Sequence, residues 1–309
     1  MTDAPAFRSS GDLLADRRYA YAAALMAEGD ARAAADLFEQ ATEIAPRWAA
    51  AWFGLAQAQE GLGELEAAAA AYARARDCDA EDELGAGLRL ALLTGDTPAG
   101  PPLSYVRGLF DQYAPRFERH LREDLAYRGP ELLMQALAEV CAARGRAFRF
   151  GRVLDLGCGT GLMGRFLQAQ AGAIHGVDLA PRMIEATRAT GAYAHAEAGD
   201  LQSFLEAQDE ASACLITAAD VFVYLGDLAP AFRAGARALK RGGLFAFTLQ
   251  STQAGDFILG ADMRFAHSAA YIRRIAAQAG LDMALLIEAS KRKDAGRDVP
   301  GLVAVLARP

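Results

Sequence analysis

The chain has 309 residues, 53% of them apolar, and a formal net charge of −7. That length allows two domains, while the acidic balance disfavours phosphate-backbone binding, which rests on clustered Lys and Arg, so nucleic acid is not an expected partner. No apolar run is long enough to span a bilayer, and Met1 to Ser10 lacks the basic start and apolar centre of a signal peptide. Cys78, Cys141, Cys158 and Cys214 are scattered without zinc-knuckle or redox spacing, and the four His residues show no ligand spacing. Reduced cysteines, a cytoplasmic location and no structural metal are the expectation.

Two stretches of the first third align at a period of 34. Gly29 pairs with Gly63, Ala34 with Ala68, Phe38 with Tyr72 and Ala41 with Ala75; Pro46 closes the first stretch, and Ala80 stands at its counterpart. Trp52 and Leu55 occupy first-helix positions for large apolar residues, and Glu28-Gly29-Asp30 and Leu62-Gly63-Glu64 read as turns. A further helix is expected over Glu81–Leu93, ended by Thr94-Gly95-Asp96-Thr97-Pro98. The pattern resembles the tetratricopeptide repeat, a 34-residue helix-turn-helix unit whose small residues let helices approach closely. Residues 1–100 are expected to form this all-α domain. Two repeats and a helix are few for a free-standing solenoid. They suit either a protein-binding groove or an appendage that packs on the rest of the chain or builds a homo-oligomer.

Pro98 to Pro102 reads as a linker. Tyr105, Leu109, Phe110, Tyr113 and Phe117 then form one aromatic face of a helix, or of two helices broken near Ala114-Pro115. An amphipathic helix over Glu131–Ala142 follows, so residues 101–150 form linker and helical cover.

Val153-Leu154-Asp155-Leu156-Gly157-Cys158-Gly159-Thr160-Gly161 is the stretch that carries chemistry. A short apolar strand with a carboxylate near its end runs into three alternate glycines and a helical pattern. Glycine permits positive φ and lets a ligand lie on the main chain. Gly159, Gly161 and Gly164 also spell the dinucleotide fingerprint, but Gly157 and Cys158 disturb its register and Asp155 would face a pyrophosphate. An acid beside the turn favours a cationic ligand instead. The stretch resembles the first motif of class I S-adenosylmethionine-dependent methyltransferases, an acid followed by Gly-x-Gly-x-Gly.

Further strands are expected at Ile174–Val177, Ala192–Ala196, Cys214–Thr217, Leu244–Leu249, Ala284–Glu288 and Leu302–Ala307. Helices are expected at Leu162–Ala171, Ala180–Arg188, Leu228–Leu239, which Gly242-Gly243 would cap, and Ala269–Ala279. Such alternation means an α/β, doubly wound parallel sheet with its ligand at the carboxyl ends of the strands. The resemblance implies a Rossmann-like sheet of seven strands, the last antiparallel, over residues 151–309.

It also implies a site. Asp155, Gly157, Gly159 and Gly161 would cradle S-adenosylmethionine; Asp178 would accept from its ribose hydroxyls, with Leu179 and Met183 beside the adenine, Met183 having a place in the helix core as its alternative. Asp200 would accept from the adenine amino group while the Leu201 amide meets a ring nitrogen. Asp220 would lie beside the methyl group. The stretch Leu109–Ala114 resembles the cover of trans-aconitate-type small-molecule enzymes, with Tyr113 turned to the cofactor. For the acceptor, Tyr224 and the run Met263–Ser268 supply candidates: Arg264 for an anionic group, His267 as base, Tyr224 as a wall or catalytic group, and His120. The loop after the fourth strand lacks an Asn-Pro-Pro-Tyr-type motif, so nothing there points to a nucleic-acid or protein amine.

These readings predict a methyltransferase acting on a small oxygen or nitrogen nucleophile, with tetratricopeptide repeats at its N-terminus. A protein substrate recruited by the repeats, a non-catalytic cofactor sensor and a nicotinamide-dependent oxidoreductase are the alternatives.

Overall fold

A computed structural model describes residues 9–118, 127–290, 293–294 and 297–309. The chain divides into two compact units, Met1–Leu109 and Phe110–Pro309.

The first unit is helical: Leu13–Glu28, Ala31–Ile44, Ala49–Gly61, Leu65–Cys78 and Ala86–Thr94. Asp12 starts the first helix by accepting from the Leu14 and Ala15 amides. Gly29 and Gly63 make the repeat turns at φ 87° and 76°, a conformation that costs side-chain-bearing residues strain. Ala22, Ala34, Ala56 and Ala68 are fully buried, which is what lets neighbouring helices close up. Phe38 fills the space left by Gly54, where a Cβ would lie 2.5 Å from the ring. Tyr72 packs edge-on to Phe53 at 5.4 Å and donates to Glu60 at 2.7 Å. Burying each such ring stabilises by roughly 2–3 kcal/mol. The indole of Trp52 donates to the Pro46 carbonyl at 3.0 Å, so the first-helix aromatic also fastens the end of the preceding repeat. The last helix begins at Ala86 rather than Glu81, because Asp82 turns into the left-handed region (φ 47°) and its carboxylate caps the Ala86 and Gly87 amides.

The helix Leu103–Tyr113 gives way to a 3-10 turn at Ala114–Arg116, the break expected near Ala114-Pro115. Gly129–Ala143 then leads into the sheet. Its strands are β1 (Phe150–Leu156), β2 (Ala171–Asp178), β3 (His195–Ala198), β4 (Ala213–Ala218), β5 (Leu239–Ser251), β6 (Phe257–Leu259), β7 (Phe265–His267), β8 (Asp282–Glu288) and, after a two-residue pair β9 and β10 at Lys293–Asp294 and Arg297–Asp298, β11 (Gly301–Ala307). The order is β3-β2-β1-β4-β5-β11-β8. The first five run parallel, and β11 is antiparallel to both β5 and β8. This is the seven-stranded, doubly wound sheet. Successive strand residues point to opposite faces. Val153, Leu215, Leu244 and Val303 thus pack under Gly129–Ala143, while Leu154, Ile216, Phe245 and Leu302 meet the helices Ala229–Ala238 and Ala269–Gln278 on the other face.

Four expectations shift. The third strand is His195–Ala198, not Ala192–Ala196, because Tyr193 turns its ring inward toward the glycine turn. A helix absent from the sequence reading, Leu201–Glu206, follows it. Gly242-Gly243 is no helix cap: the helix ends at Ala238, and Gly242 (φ 73°) lies within β5, its amide bonded to the Arg308 carbonyl. The segment expected as a loop after the fifth strand contains β7, paired parallel to the end of β5 and antiparallel to β6.

Candidate active site

The strand order reverses between β1 and β4, and in open α/β sheets the crevice opens there, at the carboxyl ends. Gly157, Gly159 and Gly161 have φ of 60°, 55° and 83°. A Cβ at Gly157 would overlap the Val221 side chain, so the turn runs directly beneath the segment that follows β4. Thr187 fixes the turn from the other side, donating to the Gly159 carbonyl at 2.6 Å.

Asp155 is 1% exposed. Tyr193 donates to one of its oxygens at 2.5 Å and Thr217 to the other at 2.7 Å. Burial pushes its carboxyl up to about 6, against the lowering effect of those two donors. The acid is therefore held by the protein, and it acts on the turn through its charge and through Tyr193, whose oxygen accepts from the Gly164 amide at 3.0 Å.

Asp178 ends β2 and accepts from the Gly159 and Ala180 amides, both at 2.9 Å. Burial raises it to about 6 as well. Each carboxylate oxygen has a second lone pair, so Asp178 retains acceptors for a ligand hydroxyl. Leu179 is half-buried. Met183 is fully buried in the core of its helix, Pro181–Ala189. Asp200 caps Leu201–Glu206 through the Ser203 amide at 2.9 Å, and Leu201 is the first residue of that helix.

The cover lies over the turn. Phe117 comes within 3.6 Å of where a Gly159 Cβ would be. It meets Tyr113 at 5.4 Å and Phe110 at 6.1 Å between ring centres, and Phe110 meets Tyr224 at 5.2 Å. Asp111 accepts from the Arg182 amide at 3.1 Å.

Beyond β4, Asp220 adopts φ 61°, a rare and costly conformation for a residue with a side chain. Its amide is bonded to the Thr248 hydroxyl. Met263 takes the same left-handed turn at φ 61° and presents Arg264, whose guanidinium lies 5.7 Å from the Tyr224 ring centre. Burial opposes the charge on Arg264, but Tyr224, Asp220 and Asp262 outweigh it and hold the guanidinium firmly protonated. Its Nη1 is buried and has no hydrogen-bond partner among the described residues.

Arg264, Tyr224 and Asp220 thus come together. His267 does not join them. It is fully buried, its Nε2 donates to the Gly226 carbonyl at 2.9 Å, and its ring stacks on Tyr271. That geometry makes it a brace for the loop after β4, not a base at the cleft. His120 lies outside the described residues. The sequence reading missed Tyr193, Thr217 and Tyr127. Tyr127 is half-buried, and burial, with Asp220, Asp155 and Glu131 as its charged neighbours, raises its phenol well above the ordinary value.

Residues 153–243 match the family described as a methyltransferase domain, and residues 25–92 the tetratricopeptide repeat. Among solved structures, the chain is similar to the [4+2]-cyclase SpnF, with a TM-score of 0.54 and 16% identity over 69% of this chain and 98% of that one. It also matches a TehB-like S-adenosylmethionine-dependent methyltransferase from Corynebacterium glutamicum, with a TM-score of 0.47 and 24% identity over 65% and 98% of the two chains. A further match is an S-adenosylmethionine-dependent methyltransferase from Clostridium acetobutylicum, with a TM-score of 0.47 and 17% identity over 64% and 98%. No curated protein matches. The chain thus joins a stretch matching tetratricopeptide repeats to one matching a methyltransferase domain. The site fits S-adenosylmethionine as cofactor: no atom of the described residues lies closer than 3.6 Å to the place of the missing Gly159 Cβ, and Asp178 offers acceptors at the end of β2.

Proposed function

We propose that the domain methylates a small-molecule oxygen or nitrogen nucleophile whose anionic group is bound by Arg264. The observation behind this reading is the buried Nη1 of Arg264, which lacks a partner among the described residues. A guanidinium recognises a carboxylate or phosphate through paired hydrogen bonds, and one donor direction here is left for a ligand. Tyr224 lies against one side of Arg264 and Phe110 continues the wall, which suits the organic body of such an acceptor.

When bound, S-adenosylmethionine supplies a methyl group on a sulfonium, an electrophile that needs no further activation. What the chain contributes is alignment. The glycine turn and Asp178 seat the cofactor, and Arg264 and Tyr224 set the acceptor's position and approach. Orientation of this kind contributes several kcal/mol, roughly 7–11 at the upper end. A carboxylate acceptor attacks without losing a proton, so a site with His267 buried away from the cleft suffices for it.

The test is S-adenosylhomocysteine release by the purified protein with fractionated small acids, followed by kinetics of Arg264→Ala and Arg264→Lys. Both should raise the acceptor's KM, by about tenfold or more for Ala, while leaving S-adenosylhomocysteine affinity unchanged. Unchanged KM in both variants would remove Arg264 from the acceptor site. A second reading, a protein substrate delivered by the repeats, draws on the exposed Leu13, Leu14 and Tyr21 of the first helix; it predicts release only with macromolecular fractions.

A further inference from the structure

We propose that the acceptor held at Arg264 is an aromatic carboxylic acid, its ring seated against Phe110 and Tyr224. The proposal rests on the reading of Arg264 as the partner of the acceptor's anionic group, and it adds the chemistry of the body that carries that group.

The rings beside Arg264 differ from those of the core. Phe222, Phe232, Phe245 and Phe247 pack on one another and are fully buried. Phe110, Tyr113, Phe117 and Tyr224 also pack on one another, yet each is only half-buried. Ligand sites are lined in this way, by apolar and aromatic side chains with a few polar groups among them.

The angles between the rings favour an aromatic occupant. Phe110 meets Tyr224 at 85° and Phe117 at 73°, and Phe117 meets Tyr113 at 86°. A ring is negative on its face and positive at its edge. Two rings at right angles make a corner in which a third can stack on one and meet the other edge-on. A saturated body would gain burial there and neither of those contacts.

The row of rings has two distinct ends. Phe117 lies 3.6 Å from the place of the missing Gly159 Cβ, at the glycine turn. Tyr224 lies 5.7 Å from the Arg264 guanidinium, whose buried Nη1 has no partner among the described residues. A carboxylate conjugated to an aromatic ring lies in the plane of that ring. Such an acid carries its charge at the edge of a flat body, and a planar guanidinium takes a carboxylate through paired hydrogen bonds.

Isothermal titration of the full chain, saturated with S-adenosylhomocysteine, compares 4-hydroxybenzoate with trans-4-hydroxycyclohexanecarboxylate, its counterpart with a saturated ring. The aromatic acid is expected to bind at least about tenfold tighter. Phe110→Leu should bring the two acids within about threefold of each other. Arg264→Ala should weaken both alike and keep their ratio. Equal affinities in the parent chain, a ratio that Phe110→Leu leaves intact, or no binding of either acid overturns the proposal. If Phe110→Leu fails to fold, the ratio in Tyr224→Leu is read in the same way. The two readings fail separately. Equal affinities that both fall in Arg264→Ala keep the guanidinium as the anion's partner and remove the aromatic body; affinities that Arg264→Ala leaves unchanged remove Arg264, and the proposal with it.

Discussion

Tyr193 donates its hydroxyl hydrogen to Asp155 across 2.5 Å, and the same oxygen accepts from the Gly164 amide. The acid of the glycine turn and the helix that follows the turn are thereby tied by one side chain. Replacing Tyr193 by Phe leaves a buried carboxylate and a backbone amide each short of a partner. The expected cost is about 1–3 kcal/mol of stability. Chemical denaturation of the ligand-free protein measures it. A loss below about 0.5 kcal/mol would mean that water replaces the phenol.

Asp155 and Asp178 both titrate near 6, against an ordinary value of 3.8. Between about pH 4 and 6 the folded chain therefore holds protons that the unfolded chain has lost. Stability of the ligand-free protein should fall as pH rises through that window and level off above it. A cationic cofactor favours the ionised acids, so S-adenosylmethionine affinity should rise with pH over the same interval and plateau above pH 6. Asp178→Asn should flatten much of that rise. Titrations at stepped pH check this, and a flat wild-type profile would contradict it.

Gly157 is constrained twice, by φ 60° and by Val221 over the place of its missing Cβ. Gly157→Ala should weaken S-adenosylhomocysteine by at least about tenfold, since strain of roughly 1–2 kcal/mol adds to the overlap. Pairing it with Val221→Ala removes the overlap but not the strain. The double variant should recover part of the affinity, and no recovery would place the damage in the backbone alone.

His267 braces Gly226 from a buried position. His267→Ala should lower stability by about 2–4 kcal/mol, through an unmet carbonyl and a cavity beside Tyr271. Turnover should fall only as far as the folded fraction does. A well-folded variant with turnover lost a hundredfold would restore the imidazole to the chemistry.

The repeats and the glycine turn were legible in the amino-acid sequence because their determinants are local. Gly29 and Gly63 recur at the repeat period because only a residue without a Cβ takes those turns freely. Asp155 and the three glycines occupy one short stretch whose spacing is itself the geometry. Alternation of apolar strands and helices sufficed for a doubly wound sheet. What tertiary structure alone decided were the long-range pairings. Tyr193 and Thr217 reach Asp155 from 38 and 62 residues away, and no local pattern marks either. His267 and Arg264 are near neighbours in sequence and were read as one site. The pairing of β7 with β5 buries His267 against Gly226, 41 residues back, while the left-handed turn at Met263 holds Arg264 beside Tyr224. Which side of a short strand faces core or cleft depends on register, and register is settled by the whole sheet.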